Sequence, residues 1–214
     1  MKYIQKQPIP QFFIDDTKGL TSWKNYSPKK KKKLKCFILD NEQFNLCCYC
    51  EKSITIDMES SHIEHIKPKS IDKPSLTFDY YNLLVSCEGN HFNEIGDNSK
   101  NTCGQIKGDN FDETKFLNPT LVNDLSTYFE FDSDTGIISA SSKDKEKADY
   151  TYTTLNLNGK NDRLAEARKK AKDALIRNFA TLPIDIRRQK LKIFLQNDSN
   201  EFITFFRYVF RNIN

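Results

Sequence analysis

SHIEHIKPKS, residues 61–70, sets two of the chain's three histidines around one glutamate and carries a proline just beyond. In an extended strand successive side chains alternate between faces, so His62 and Glu64 share one side. His65 turns to the other unless a bulge re-aims it. A carboxylate of this kind suits a hard divalent ion that keeps several waters, and a neutral imidazole beside it can take a proton from water. Taken alone, H-x-E-H is a weak signal, because most histidines are hydrogen-bonded parts of ordinary structure. Its neighbours decide how it reads.

On one side stand Cys47 and Cys50, a C-x-x-C pair, and on the other Cys87 and Cys103, the last followed by Gly104. A C-x-x-C turn presents two thiolates from one knuckle, and a structural zinc needs four ligands in a tetrahedron. Cys47, Cys50, Cys87 and Cys103 are therefore the expected ligands of a structural Zn²⁺. The alternative is small cysteines scattered in a core. Cys48 reads as a spare that points away from the knuckle, Cys36 fits a helix core, and His91 is a substitute for one cysteine.

The chain has 214 residues, 37% hydrophobic and 29% charged, with 16 Phe and nine Tyr to supply burial. That is enough for one domain with attached elements or for two small ones. A net charge of +4 says little about partners. The local runs KKKKK (29–33) and RKKAK (168–172) suit nucleic acid or solvated helix faces equally well. There is no apolar run of membrane-spanning length and no apolar signal segment, so a cytoplasmic protein without membrane contact is expected. A reducing compartment disfavours disulfides and leaves the cysteines free to be ligands.

Residues 1–27 read as irregular, broken by Pro8 and Pro10. Ser27-Pro28 starts a helix, with Leu34, Phe37, Ile38 and Phe44 on one face and the lysine run exposed. In residues 47–66, SITID is expected to pair with HIEHI in a short hairpin with the cysteines at its mouth. DYYNLLVSC reads as entry into a helix or a buried turn, and residues 88–102 as a polar surface insertion. FEFDSDTGIIS gives a second hairpin around Asp134-Thr135-Gly136. Beyond Tyr150 the pattern is helical: Leu164, Arg168, Ala171, Leu175 and Phe179 align on one helix, and Pro183 separates it from residues 184–196. Residues 201–211 form the last helix. The fold class is α+β.

The order C-x-x-C, E-H-I-x-P-K-S, Asn82 in Y-N-L-L, Cys87 and finally C-G-x-x-K resembles the HNH, or ββα-metal, endonucleases. The segments LDNEQFNLCCYCEKSI, SHIEHIKPKS, LTFDYYNLLVSC, TCGQIKGD and FLNPT are similar to the HNH subunit of Septu and retron-associated anti-phage systems, the PtuB type. That similarity spans roughly residues 39–120 and continues more weakly through TLNLNGKNDRLAEARKKA. It implies a zinc-stabilised ββα-metal core over residues 28–120, preceded by an irregular segment, 1–27. Residues 121–214 then form a hairpin and helices for partner docking.

The resemblance also implies roles. His65 is the general base, Glu64 binds a catalytic Mg²⁺ or Mn²⁺, Asn82 orients the base and its loop, and the four cysteines hold zinc. Gly104 stands where many members carry a further His or Asn ligand. His62 either completes the metal site from the strand or supports it by hydrogen bonding. Lys67 and Lys69 would contact the nucleic-acid backbone, and Lys107 would hold a phosphate as a point charge. DNA is the expected substrate, and a PtuA-like ABC-type ATPase the expected partner, in a complex that can include a retron. RNA or tRNA cleavage and a non-catalytic zinc-fold scaffold are the alternatives. FITFFRYVF is either a docking element or ordinary core.

Overall fold

This computed structural model describes residues 1–72, 75–90 and 101–212. Its first helix, α1 (Gln11–Thr17), starts straight after Pro10, so the N-terminal segment is less irregular than expected. The reason is tertiary: Phe13 of this short helix is buried edge-on against Tyr26, ring centroids 6.1 Å apart.

The helix α2 (Pro28–Ile38) begins as the sequence indicates. The Ser27 hydroxyl accepts from the Lys30 amide, and Pro28 occupies a position whose missing N–H costs nothing. Leu34 and Ile38 are buried and Phe37 partly so, but Phe44 is 46% exposed. A wider π-turn, Leu39–Gln43, follows the helix, and Phe44 takes left-handed backbone that swings it off the apolar face. Cys36 is exposed as well, its thiol 3.3 Å from the Asp40 carboxylate, and so is not a core residue. Lys35 departs from the solvated run: it is buried and its ammonium donates to the Ser61 carbonyl at 2.7 Å.

That carbonyl belongs to β1 (Ser61–His65), which pairs antiparallel with β2 (Leu83–Cys87); Ser61 faces Cys87 and His65 faces Leu83. This corrects the expected pairing. SITID contributes one isolated bridge, Ser53 to Leu46, and the chain then turns at Asp57, whose carbonyl accepts from the Ser60 and Ser61 amides. DYYNLLVSC is a single 3₁₀ turn, Tyr80–Asn82, running into a strand whose five residues are all buried. A strand covered on both faces shows no alternation, which is why its sequence looks like a buried turn or helix. The next helix, α3 (Cys103–Lys107), packs on β2. Most of the polar insertion, including His91, lies outside the described residues.

The second hairpin matches expectation, β3 (Phe129–Phe131) with β4 (Ile138–Ala140). Gly136 closes its turn at φ 75°, and a Cβ there would overlap the Ala165 carbonyl. Four helices follow: α4 (Lys145–Thr154), α5 (Arg163–Phe179), α6 (Ile184–Gln196) and α7 (Ile203–Val209). The first starts before Tyr150 because the Asp144 carboxylate caps the Lys147 amide.

Arg168 is the structural pin of this half. It is buried, donates to the Gly136 carbonyl at 3.0 Å and the Leu157 carbonyl at 2.5 Å, and lies over the Phe131 ring. Arg168→Ala should cost roughly 3 kcal/mol in urea unfolding, since two charge-assisted bonds are lost inside the core. Arg168→Lys should restore less than half, because an ammonium cannot reproduce the fork.

Phe202, Ile203, Phe205 and Phe206 are all buried in the core, and Tyr208, Val209 and Phe210 of the same run are partly buried against it. One hydrophobic cluster gathers Ile4 and Phe13, Cys47 and Val85, and Leu164 and Phe206, drawing on all three expected segments. Among the described residues no helix is long and apolar enough to cross a membrane.

Candidate functional site

The four predicted cysteines come together. Cys47, Cys50, Cys87 and Cys103 are buried, and their sulfurs all lie within 4.8 Å of one another. The Cys50 and Cys87 sulfurs are 3.9 Å apart. A zinc ion with bonds of about 2.3 Å needs tetrahedron edges of roughly 3.8 Å, so the donor set fits. The knuckle is held by the Glu51 amide bonding the Cys47 carbonyl, with Glu51 itself in left-handed backbone. The Cys87 amide donates to the Cys47 sulfur at 3.3 Å. Burial pushes the Cys47 thiol up, yet hydrogen bonds from the surrounding cysteines bring its pKa well below the usual value. Cys103 is pushed up, by burial first. A bound cation would deprotonate the whole set. Cys48 is buried beside the knuckle but outside the cluster, as expected.

β1 continues from this cluster to a second set of side chains. Alternation holds: His62 and Glu64 share a face, with His62 Nε2 3.5 Å from Glu64 Oε2. The other Glu64 oxygen accepts from the Tyr49 hydroxyl at 3.1 Å and faces the Lys107 ammonium at 3.0 Å. Burial would raise the Glu64 pKa, but His62 and Lys107 hold it below the usual carboxylate range. His62 Nδ1 lies 2.9 Å from Glu88 Oε1, so Glu88 accepts its proton and leaves Nε2 on the Glu64 side. Burial disfavours the His62 cation, yet the two carboxylates outweigh it and raise the pKa to about 9. His62 therefore keeps both ring protons at pH 7, and a metal ion would have to displace the Nε2 proton before that nitrogen could ligate it, with Glu88 fixing the ring from behind. Neighbouring ligands of an octahedral ion with bonds of about 2.1 Å stand roughly 3 Å apart, close to the spacing found.

Gly104 is explained by the same geometry. A Cβ there would sit 2.5 Å from Glu64 Oε2 and 3.0 Å from His62 Nε2. The missing side chain keeps open the space beside both groups, within a pocket of about 230 Å³ that Glu64, His65 and Lys69 also line. Gly104→Ala should weaken binding of Mn²⁺, read by titration calorimetry, by roughly 10-fold or more, with the fold retained.

His65 lines the pocket from the opposite direction. Its ring stands edge-on to Trp23, centroids 4.8 Å apart, and Nε2 lies 3.1 Å from the Thr77 carbonyl. A carbonyl only accepts, so Nε2 carries the proton and Nδ1 holds the lone pair. Burial, then the Lys69 charge, lowers the pKa to about 4 and keeps the ring neutral at pH 7. The hydrogen bonds of the Asn82 side chain go to the backbone of the neighbouring loop and not to the ring. That side chain accepts from the Lys67 amide at 2.8 Å and donates to the Lys67 carbonyl at 2.9 Å, fixing the loop that leaves His65.

The expected phosphate lysines separate. Lys69 lines the pocket. Lys67 is ion-paired with Glu113. Lys107 cannot serve as expected: it is 2% exposed, and three backbone carbonyls share its ammonium with Glu64. It is a buried counter-charge. Tyr49, Glu88 and Trp23 were not legible as site residues. Tyr49 alone carried a signal, a hydroxyl placed inside the C-x-x-C turn itself.

No family model matches the chain. It is 37% identical over 138 residues to the Retron Vc95 putative HNH endonuclease of Vibrio cholerae serotype O1 biovar El Tor. The relative so matched is named as a candidate HNH endonuclease of a retron. The match covers 63% of this chain and 61% of the HNH relative, so the two are compared over less than two thirds of either length.

Proposed function

We propose that the chain is a metal-dependent HNH endonuclease that hydrolyses phosphodiester bonds of DNA. We further propose that it is the effector subunit of an anti-phage system controlled by an ABC-type ATPase. The carrying observation is the convergence of Glu64, His62 and a neutral His65 on one pocket beside a four-cysteine cluster. The chain order β1, β2, α3, with the strands paired and the helix packed on β2, supports reading this unit as a ββα-metal core.

In this reading Glu64 and His62 hold Mg²⁺ or Mn²⁺, which supplies charge stabilisation at the scissile phosphate. His65 does the proton chemistry. Its Nδ1 takes a proton from the attacking water as the new P–O bond forms, while the Nε2 proton stays on the Thr77 carbonyl and fixes the ring. The bond from phosphorus to the leaving oxygen breaks on the far side, and that oxygen takes its proton from solvent water. Asn82 positions the loop, Lys107 balances Glu64, and Lys69 offers its charge to the phosphate. Structural Zn²⁺ on the four cysteines would tie β2 and α3 to the Cys47–Cys50 turn, and β2 is the pairing partner of the strand that carries Glu64 and His65.

The test is cleavage of supercoiled plasmid by the purified chain with its ATPase, in Mg²⁺ or Mn²⁺. Nicking is expected. Cleavage of RNA alone would move the substrate assignment. Binding without cleavage of either nucleic acid in any divalent ion would leave a zinc-fold scaffold.

A further inference from the structure

The lysine run left without a role lies next to the candidate site. α2, tied to β1 by Lys35, brings Lys29, Lys31 and Lys32 to the rim of a groove of about 700 Å³. Its floor is apolar, built from Trp23, Ile56 and Ile63, with the exposed Met58 beside them. His62 and Ile63 line both this groove and the pocket of Glu64 and His65, so the two spaces adjoin. Trp23 joins them a second time: its edge meets His65, and the Lys31 ammonium lies over its ring at 5.1 Å.

Two properties of the groove call for an occupant. Met58 is 83% exposed and Ile63 is only partly covered, so apolar surface is left open beside charged groups. The cations also converge. Lys31 lines the groove and Lys69 the adjoining pocket, and the charge of Lys69 adds to burial in lowering the Lys31 pKa. Among the described residues neither Lys31 nor Lys69 has a carboxylate partner within ion-pair distance. The carboxylates that line the groove have partners of their own: Glu88 is bonded to His62 and Gln105, and Asp57 accepts from Thr55.

A rim of lysines over an apolar, partly aromatic floor matches nucleotides whose bases are out of the stack. A duplex hides its base faces and could use the rim only, leaving the floor uncovered. We propose that this groove binds the substrate strand as unpaired nucleotides, bases on the floor and phosphates on the lysine rim, and leads the next phosphate into the pocket of Glu64 and His65. The proposal rests on the nuclease reading for its destination, but the binding it describes needs no cleavage.

The test uses the full chain with zinc retained and no other divalent ion added. A fluorescein-labelled strand of about 12 nucleotides, within the span that such grooves cover, is titrated by anisotropy as DNA, as RNA and as the matching duplex. Single strands should bind more tightly than duplex, and the DNA and RNA arms identify which sugar is preferred. The triple variant K29Q/K31Q/K32Q should weaken single-strand binding by roughly 10-fold. It should also flatten the log–log salt dependence by about 2, at about 0.7 per lost contact. Met58→Asp, on an exposed side chain, should weaken it roughly fivefold with the salt slope less changed, whereas K169Q/K170Q on α5 should leave it as it was.

Equal affinity for the duplex, no binding at all, or a triple variant that binds like wild type would each overturn the groove. If the triple variant also cuts an unpaired substrate at the wild-type rate, the groove fails and the nuclease reading stands. If lysine-dependent binding occurs but nothing is cut in any divalent ion, the nuclease reading fails and the groove stands.

Discussion

Replacing His65 by alanine is expected to slow phosphodiester cleavage by roughly 10²- to 10⁴-fold, the usual contribution of a positioned general base. Zinc content and the unfolding transition should change little, because the ring makes one hydrogen bond to the Thr77 carbonyl and one edge contact with Trp23. The assay is single-turnover nicking in Mg²⁺ or Mn²⁺, with zinc analysis and thermal unfolding on the same preparation. His65→Gln is the informative companion. It can still donate to Thr77 and fill the space, but it has no basic nitrogen, so it should be nearly as slow as alanine. A glutamine variant close to wild type would mean that the residue positions the loop and does not move a proton.

The second large effect concerns the cysteines. Wild type should contain about one equivalent of zinc, and Cys47→Ser/Cys50→Ser should contain none. Structural zinc sites bind with apparent energies of about 10–16 kcal/mol, which matches or exceeds the whole net stability of an ordinary domain. The double variant should therefore lose its cooperative unfolding transition, followed by circular dichroism, and a strong chelator should do the same to wild type. Cys48→Ala is the control: it removes a buried thiol from the same turn and should keep the metal. Full zinc occupancy in the double variant would rule out the assigned ligands.

Much of this site was legible because its residues announce chemistry by type. Four cysteines, a histidine–glutamate pair on alternating positions, and a helix cap at Ser27-Pro28 all lie where their spacing implies. Pairing partners were not legible. LLVSC is buried on both faces and so carries no period-two signal, while SITID has the β-prone composition of a strand but finds only one bridge. Lys107 was misread for a related reason. A lysine after the last cysteine looks like a surface charge until the buried carboxylate opposite it is known. Glycine at position 104 looked like a missing ligand, yet its value is the room it leaves beside Glu64. Absence of a side chain is invisible to a search for ligands.

The bond between Glu51 and Thr204 spans 153 residues, and it braces the turn that presents Cys47 and Cys50. Joining points so far apart along the chain is slow and entropically unfavourable before other contacts help. During synthesis, then, the bond from the Thr204 amide to Glu51 forms only after α7 has emerged, well after all four cysteines are out. Metal capture can therefore come before this brace, which is added to a knuckle already closed by the bond from the Glu51 amide to the Cys47 carbonyl.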